Sequence, residues 1–202
     1  MQANVVAAIS GSGRSLANLL ENQEKLHYNI VGIISSNPDC RGNQIALDHG
    51  LPLFIDPFKK DLDIRQLQLW LKETEAHWIA LAGFLRKFPQ LPEFQNRVIN
   101  IHPSLLPAYG GKGLYGDRVH KAVFEENEVK SGATIHFVSD NYDDGPIIAQ
   151  ISVDITQEPG PQEIARKVFE AECFLYPQVL DKLVTGDLGL NKEIWYIQDR
   201  QG

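Results

Sequence analysis

The sequence predicts an α/β fold: a mostly parallel central sheet with helices on both faces and an antiparallel portion towards the C-terminus. Three observations carry this. Apolar runs of strand length alternate with helical patterns through the first half of the chain. Residues 134–138 alternate in period two and are followed quickly by a second apolar run, as in an antiparallel pair. A long amphipathic pattern then occupies residues 162–183.

In order, strands are expected at residues 5–10, 30–35, 53–55, 78–82, 98–102, 134–138 and 147–153. Helices are expected at 16–25, 41–49 and 64–75, the first with Leu16, Leu19 and Leu20 on one side. The last helix starts just after Pro159-Gly160-Pro161, since proline suits a first helical turn. No repeat, low-complexity tract or long linker interrupts the pattern, so residues 1–202 read as a single domain with halves of about 1–100 and 101–202.

Composition bounds the function. The 202 residues suffice for a full core, and 43% hydrophobic with 22% charged residues are globular values. A net charge of -7 argues against affinity drawn from nucleic-acid phosphates. Cys40 and Cys173 are far apart with no CxxC partner, which suggests neither a disulfide scaffold nor a structural zinc site. The opening apolar run lacks a basic flank and reads as a first strand, not a signal peptide, and no run approaches a membrane span. A soluble cytoplasmic protein is expected.

The most informative stretch is Asn100-Ile101-His102-Pro103-Ser104-Leu105-Leu106-Pro107. Residues two apart on a strand face the same way, so Asn100 and His102 present an amide and an imidazole on one side. The chain then turns at Pro103 into a loop holding Pro107 and four glycines. Open α/β sheets place their chemistry at such strand ends. An amide N–H₂ can donate to a developing oxyanion, and an imidazole can donate or shuttle a proton.

Between the first strand and first helix lies Ser10-Gly11-Ser12-Gly13-Arg14-Ser15. Glycines let backbone N–H groups face a ligand there, the helix N-terminus favours an anion, and Arg14 adds positive charge. A plain connector explains the turn nearly as well. Dinucleotide binding is disfavoured, because Leu16 takes the third-glycine position and the second strand ends in Ile34-Ser35-Ser36-Asn37 with no acidic residue. A phosphate monoester fits better.

The acidic segment Asp140-Asn141-Tyr142-Asp143-Asp144-Gly145-Pro146 is the best source of a carboxylate for the histidine. A solvated hairpin tip or a weak calcium loop without EF-hand spacing are its other readings. His136 points away from Ile135 and Phe137 and reads as a strand histidine of uncertain role. On the last helix, Glu172 falls in the stripe of Ile164, Val168, Leu175 and Val179, where a carboxylate is costly unless paired or facing a ligand. A surface glutamate at the edge of the stripe is the alternative.

Together these motifs, with residues 81–86 (Leu-Ala-Gly-Phe-Leu-Arg), 132–140 and Glu172…Tyr176-Pro177, resemble the formyltransferase family that uses 10-formyltetrahydrofolate, and the resemblance spans nearly the whole chain. It implies a Rossmann-like fold and formyl transfer from 10-formyltetrahydrofolate, as co-substrate and with no metal, to the primary amine of 5-phosphoribosylglycinamide in purine biosynthesis. By resemblance, Asn100 and His102 bind the oxygen of the tetrahedral intermediate and Asp143 assists proton transfer. Gly11, Ser12, Gly13, Arg14 and Ser15 hold the phosphate and Glu172 the ribose side. Leu85, Arg86, Val138, Asp140 and Asp143 line the pterin pocket. The first half is thus the phosphate-binding half, and the second carries catalysis and folate binding.

The turn departs from the Gly-Asn-Gly-Ser-Asn it resembles, and the segment from Gly110 to Gly116 is longer than the commoner form. Asp144 stands where a glycine is more usual, and ungapped alignment on Gly145-Pro146 selects Asp143. Small-molecule substrates, no nucleic acid or membrane, and a monomer or homodimer complete the expectation. Initiator-tRNA formylation would need a further nucleic-acid-binding domain, whereas the sequence stops at Gly202. A formyl-folate hydrolase would use the same three residues with water as acceptor, and a nucleotide-sensing module would need only the phosphate turn.

Overall fold

The computed structural model describes residues 2–198. The chain divides into two compact units, Met1–Asn100 and Ile101–Gly202. In the first, β1 (Ala3–Ile9), β2 (Tyr28–Ser35), β3 (Leu53–Ile55), β4 (Trp78–Leu81) and the start of β5 (Val98–His102) run parallel in the order β3-β2-β1-β4-β5. Residues 5–9 are all buried at 1% exposure or less, so both parities of β1 face protein and both faces of this sheet are covered. That is why β1 reads as an unbroken apolar run.

The connecting helices are α1 (Arg14–Asn22), α2 (Arg41–Asp48) and α3 (Ile64–Glu73). The first buries Leu16, Leu19 and Leu20, as expected, but closes at Asn22 into a 3-10 turn over Gln23–Lys25. Asp63 caps α3 by accepting from the N–H groups of Arg65 and Gln66 at 3.0 and 3.1 Å. The strand order reverses beside β1, since the chain moves outward to β2 and β3 and returns through β4. Ligands of open parallel sheets bind at such a reversal.

The second unit holds α4 (Asp117–Glu125), β6 (Lys130–Phe137), β7 (Ile147–Asp154), α5 (Pro161–Thr185) and β8 (Trp195–Gln198). The β6 and β7 strands pair antiparallel, as the period-two pattern suggested, while β8 joins β7 in parallel. β6 starts four residues earlier than expected because Ser131 and Gly132 pair with Val153 and Ser152. Gly132 permits that pairing, as a Cβ there would run into the Ile151 carbonyl oxygen. Helix α5 continues through Pro177 and ends at Gly186 in the left-handed conformation. The fold is therefore α/β, mostly parallel, with an antiparallel C-terminal portion. Helix α4 and strand β8 lie outside the expected elements.

Candidate active site

His102 ends β5 and is 3% exposed. Its Nε2 lies 2.9 Å from the Tyr109 carbonyl oxygen. A carbonyl only accepts, so Nε2 carries a proton and donates it. That bond fixes the ring and leaves Nδ1 as the nitrogen free to act, 3.5 Å from Asp143 Oδ1. The distance is too long for a formed hydrogen bond but short for attraction between charges inside a protein.

The turn that supplies the Tyr109 carbonyl is itself held. Thr134 Oγ1 donates to Ser104 O at 2.7 Å and accepts from Leu106 N at 3.0 Å. Gln150 Nε2 donates to Leu106 O at 2.8 Å and to Thr134 Oγ1 at 2.9 Å. Ser104 Oγ donates to Ala108 O at 2.7 Å. Buried polar groups satisfied in this way give the turn a single arrangement.

Asp143 sits between β6 and β7 with φ 55, a left-handed conformation that aspartate tolerates better than most residues. Its side chain is 11% exposed, and Oδ2 accepts the Gly111 N–H at 3.0 Å. Oδ1 meets a second imidazole, His136 Nε2, at 3.6 Å. Burial pushes the Asp143 carboxyl upward. The contacts from His102 and His136, the charge of His102 and the Gly111 N–H outweigh that and hold it far below the usual carboxylate range. Asp143 is thus a buried carboxylate kept ionised. Asp144 is exposed and accepts from Asn141 Nδ2 at 3.0 Å, so of the two aspartates it is Asp143 that approaches His102.

Gly145 lets this loop close against β6, because a Cβ there would meet the Phe137 carbonyl oxygen. Gly145→Ala is expected to destabilise the fold by about 1–3 kcal/mol through overpacking and to displace Asp143. Thermal unfolding together with kcat measures both effects.

Asn100 is half-buried in β5 and registers with Leu81 of β4, two residues before His102. Glu172 is half-buried on α5 between the buried Val168 and Leu175, Val138 is half-buried and Asp140 exposed. In the first unit, Gly11, Ser12 and Arg14 are exposed, Ser15 is half-buried, and Gly13 is buried at φ 76 ahead of α1. A Cβ on Gly13 would come within 2.8 Å of Gly42 Cα, so the turn needs glycine for space as well as conformation. No side chain caps this end of α1, leaving an electropositive helix terminus beside Arg14. Ser10 N donates to Gly83 O at 3.1 Å and Leu85 N to Ser10 Oγ at 2.8 Å. The turn and the Leu85 segment are therefore joined, with Leu85 and Arg86 exposed beside it.

Sequence reasoning left one buried histidine without a role and passed over another. His136 left a trace in its parity, opposite to Ile135 and Phe137, but nothing in the pattern named its partner. His120 lies on α4, which the sequence reading passed over. It is 5% exposed, and its Nδ1 has no hydrogen-bond partner among the described residues. Burial holds its pKa down to about 4, against Asp117, which raises it, and with His102, which lowers it. Between pH 6.5 and about 4 the unfolded chain binds a proton that folded His120 declines, so stability falls as pH drops through that window and levels off below it. The full cost is about 3 kcal/mol. His120→Leu is expected to flatten this slope in denaturant titrations across the same range.

Among the described residues no group of three or more His, Cys, Asp or Glu side chains is arranged to hold a metal ion. No described helix is long and apolar enough to cross a membrane.

Residues 3–180 match the model of the formyl transferase family. The chloroplastic phosphoribosylglycinamide formyltransferase of Arabidopsis thaliana is 36% identical over 181 residues, 85% of this chain and 62% of that protein. The trifunctional purine biosynthetic protein adenosine-3 of Drosophila melanogaster is 32% identical over 200 residues, 94% of this chain and 14% of that one. The chain thus spans about three fifths of the plant relative's length and a much smaller share of the insect one. Among solved structures, phosphoribosylglycinamide formyltransferase from Anaplasma phagocytophilum matches with a TM-score of 0.85 at 26% identity, covering 99% of this chain and 100% of that one. The corresponding enzyme of Coxiella burnetii, solved in complex with CHES, gives 0.83 at 30% identity and covers 95% and 92%. The sequence match and the shared fold agree: the chain belongs to the formyl transferase family.

Proposed function

We propose that this chain transfers the formyl group of 10-formyltetrahydrofolate to the primary amine of 5-phosphoribosylglycinamide, as a step of de novo purine synthesis. The observation that carries the reading is His102, with Nε2–H committed to Tyr109 and Nδ1 turned to a buried, ionised Asp143.

The amine nitrogen attacks the formyl carbon, and the carbonyl electron pair moves to oxygen. The Asn100 amide and a protonated His102 Nδ1 are the donors for that oxygen, with Asp143 stabilising the imidazolium. The amine must then lose a proton and the folate N10 gain one as its bond to the formyl carbon breaks. Asp143 with a water relays that proton. In this reading Gly11, Ser12, Gly13, Arg14 and Ser15 bind the phosphate, and Glu172 a ribose hydroxyl. Leu85, Arg86, Val138, Asp140 and Asp143 hold the pterin, mainly through backbone groups. Both substrates are small molecules, needing neither nucleic acid nor membrane, and a monomer or homodimer in the cytoplasm is sufficient for the reaction.

A steady-state assay with 10-formyltetrahydrofolate, run with and without 5-phosphoribosylglycinamide, tests this. Formyl transfer that requires the acceptor is expected. Deformylation that proceeds equally well without it would instead make the chain a formyl-folate hydrolase, and no turnover in either case would overturn the reading as well.

A further inference from the structure

We propose that His136 is a positioning residue of this site, which shares the Asp143 carboxylate with His102 and thereby sets how much of its charge reaches the working imidazole. The inference deepens the formyl-transfer reading and rests on it for its kinetic arm alone.

Its basis is geometry. His136 is 2% exposed, and its Nδ1 lies 2.9 Å from the Phe137 carbonyl, so Nδ1 bears the proton and donates it. Nε2 is then turned to Asp143 Oδ1 at 3.6 Å, the same oxygen that faces His102 Nδ1 at 3.5 Å. The two rings are built alike: each is locked by one nitrogen to a main-chain carbonyl and turns the other to Asp143 Oδ1. The strand pairing shows how His136 comes to be there. The β6–β7 register shifts between Ile135 and His136, placing a bulge that re-aims the side chain. Gly145 then lies against both the Phe137 carbonyl and His136 Nδ1, the latter 3.5 Å from where its Cβ would stand.

One carboxylate between two imidazoles cannot serve both fully. A proton on His136 Nε2 attracts Oδ1, and its positive charge opposes one on His102. The titratable groups around this centre are His102 from β5, His136 from β6 and Asp143 between β6 and β7. His120 of α4 acts on His102, while Asp140 and Asp144 are exposed.

Two near-isosteric variants separate positioning from packing. An asparagine amide reaches about as far as Nδ1 and a glutamine amide about as far as Nε2. His136→Asn therefore keeps the bond to Phe137 and loses the group that faces Asp143, whereas His136→Gln places an amide donor there. With its charge no longer divided, Asp143 releases the relayed proton less readily, so His136→Asn is expected to lower kcat about tenfold, with both KM values held within about twofold, and His136→Gln to recover most of that loss. A second readout needs no turnover. In the ligand-free protein at fixed neutral pH, proton–nitrogen correlation spectra of the His136→Asn variant should show His102 Nδ1 moved towards its protonated position. Equal kcat in both variants, a loss confined to KM, or an unmoved His102 resonance overturns the proposal. Should the wild-type chain transfer no formyl group, the functional reading fails, and the resonance alone decides the role of His136.

Discussion

His102→Ala is expected to lower kcat by about 10²–10³ while the chain stays folded. The argument starts from where negative charge develops. In the proposed reaction the amine adds to the formyl carbon and the oxygen becomes an alkoxide, beside a His102 that is only 3% exposed. A donor preset by the Nε2–Tyr109 bond meets that charge without reorganising. Alanine removes the imidazole that faces Asp143 and with it the proposed donor, so the loss falls on kcat more than on KM. Residual turnover is expected from Asn100, the second donor of the proposed reaction. Circular dichroism with steady-state kinetics checks this, and near-normal kcat in folded protein would remove His102 from the mechanism.

Asp143→Asn should be comparably damaging, about 10²–10⁴ in kcat, for a different reason. The amide can keep an oxygen towards the Gly111 N–H, so the loop has cause to stay in place. What disappears is the negative charge between two imidazoles and the acceptor of the proposed relay. The same substitution has a signature in stability. The folded Asp143 carboxyl titrates well below its unfolded value of 3.8, so its contribution is fully present above that value and is lost as pH falls through the folded one. Asparagine does not titrate in this range. The stability gap between wild type and variant should therefore be widest near neutrality and shrink under acid, as denaturant titrations at several pH values will test. A gap independent of pH contradicts the electrostatic account.

Much of the fold was legible because it rests on burial. β3 and β5 were bounded to the residue, and β1 was recognisable because both its faces are covered. Helix α4 was not legible. It follows a glycine-rich run, starts at Asp117 after Gly116 with no capping side chain, and mixes its charges among three buried positions. Strand β8 has no fully buried residue, so it lacks the apolar run that marks a strand. Within the site, parity placed Asn100 and His102 on one face, and the spacing to Gly145-Pro146 selected Asp143. The contact of His136 with Asp143 depends on a bulge and on a left-handed aspartate, neither of which leaves a mark in hydropathy. The Tyr109 carbonyl and Gly111 N–H act through the main chain and are equally silent.

Those two main-chain groups lie two residues apart, one an acceptor for His102 and the other a donor to Asp143. Any residue at position 109 still supplies a carbonyl, whereas the Gly111 N–H belongs to a residue at φ 98, a conformation that favours glycine. Side-chain scanning at position 109 will therefore pass over a main-chain group that holds His102. Deletion of one residue between Ala108 and Lys112 will expose it. Divergence among relatives should accordingly fall on the side chain at position 109 before the spacing between 109 and 111.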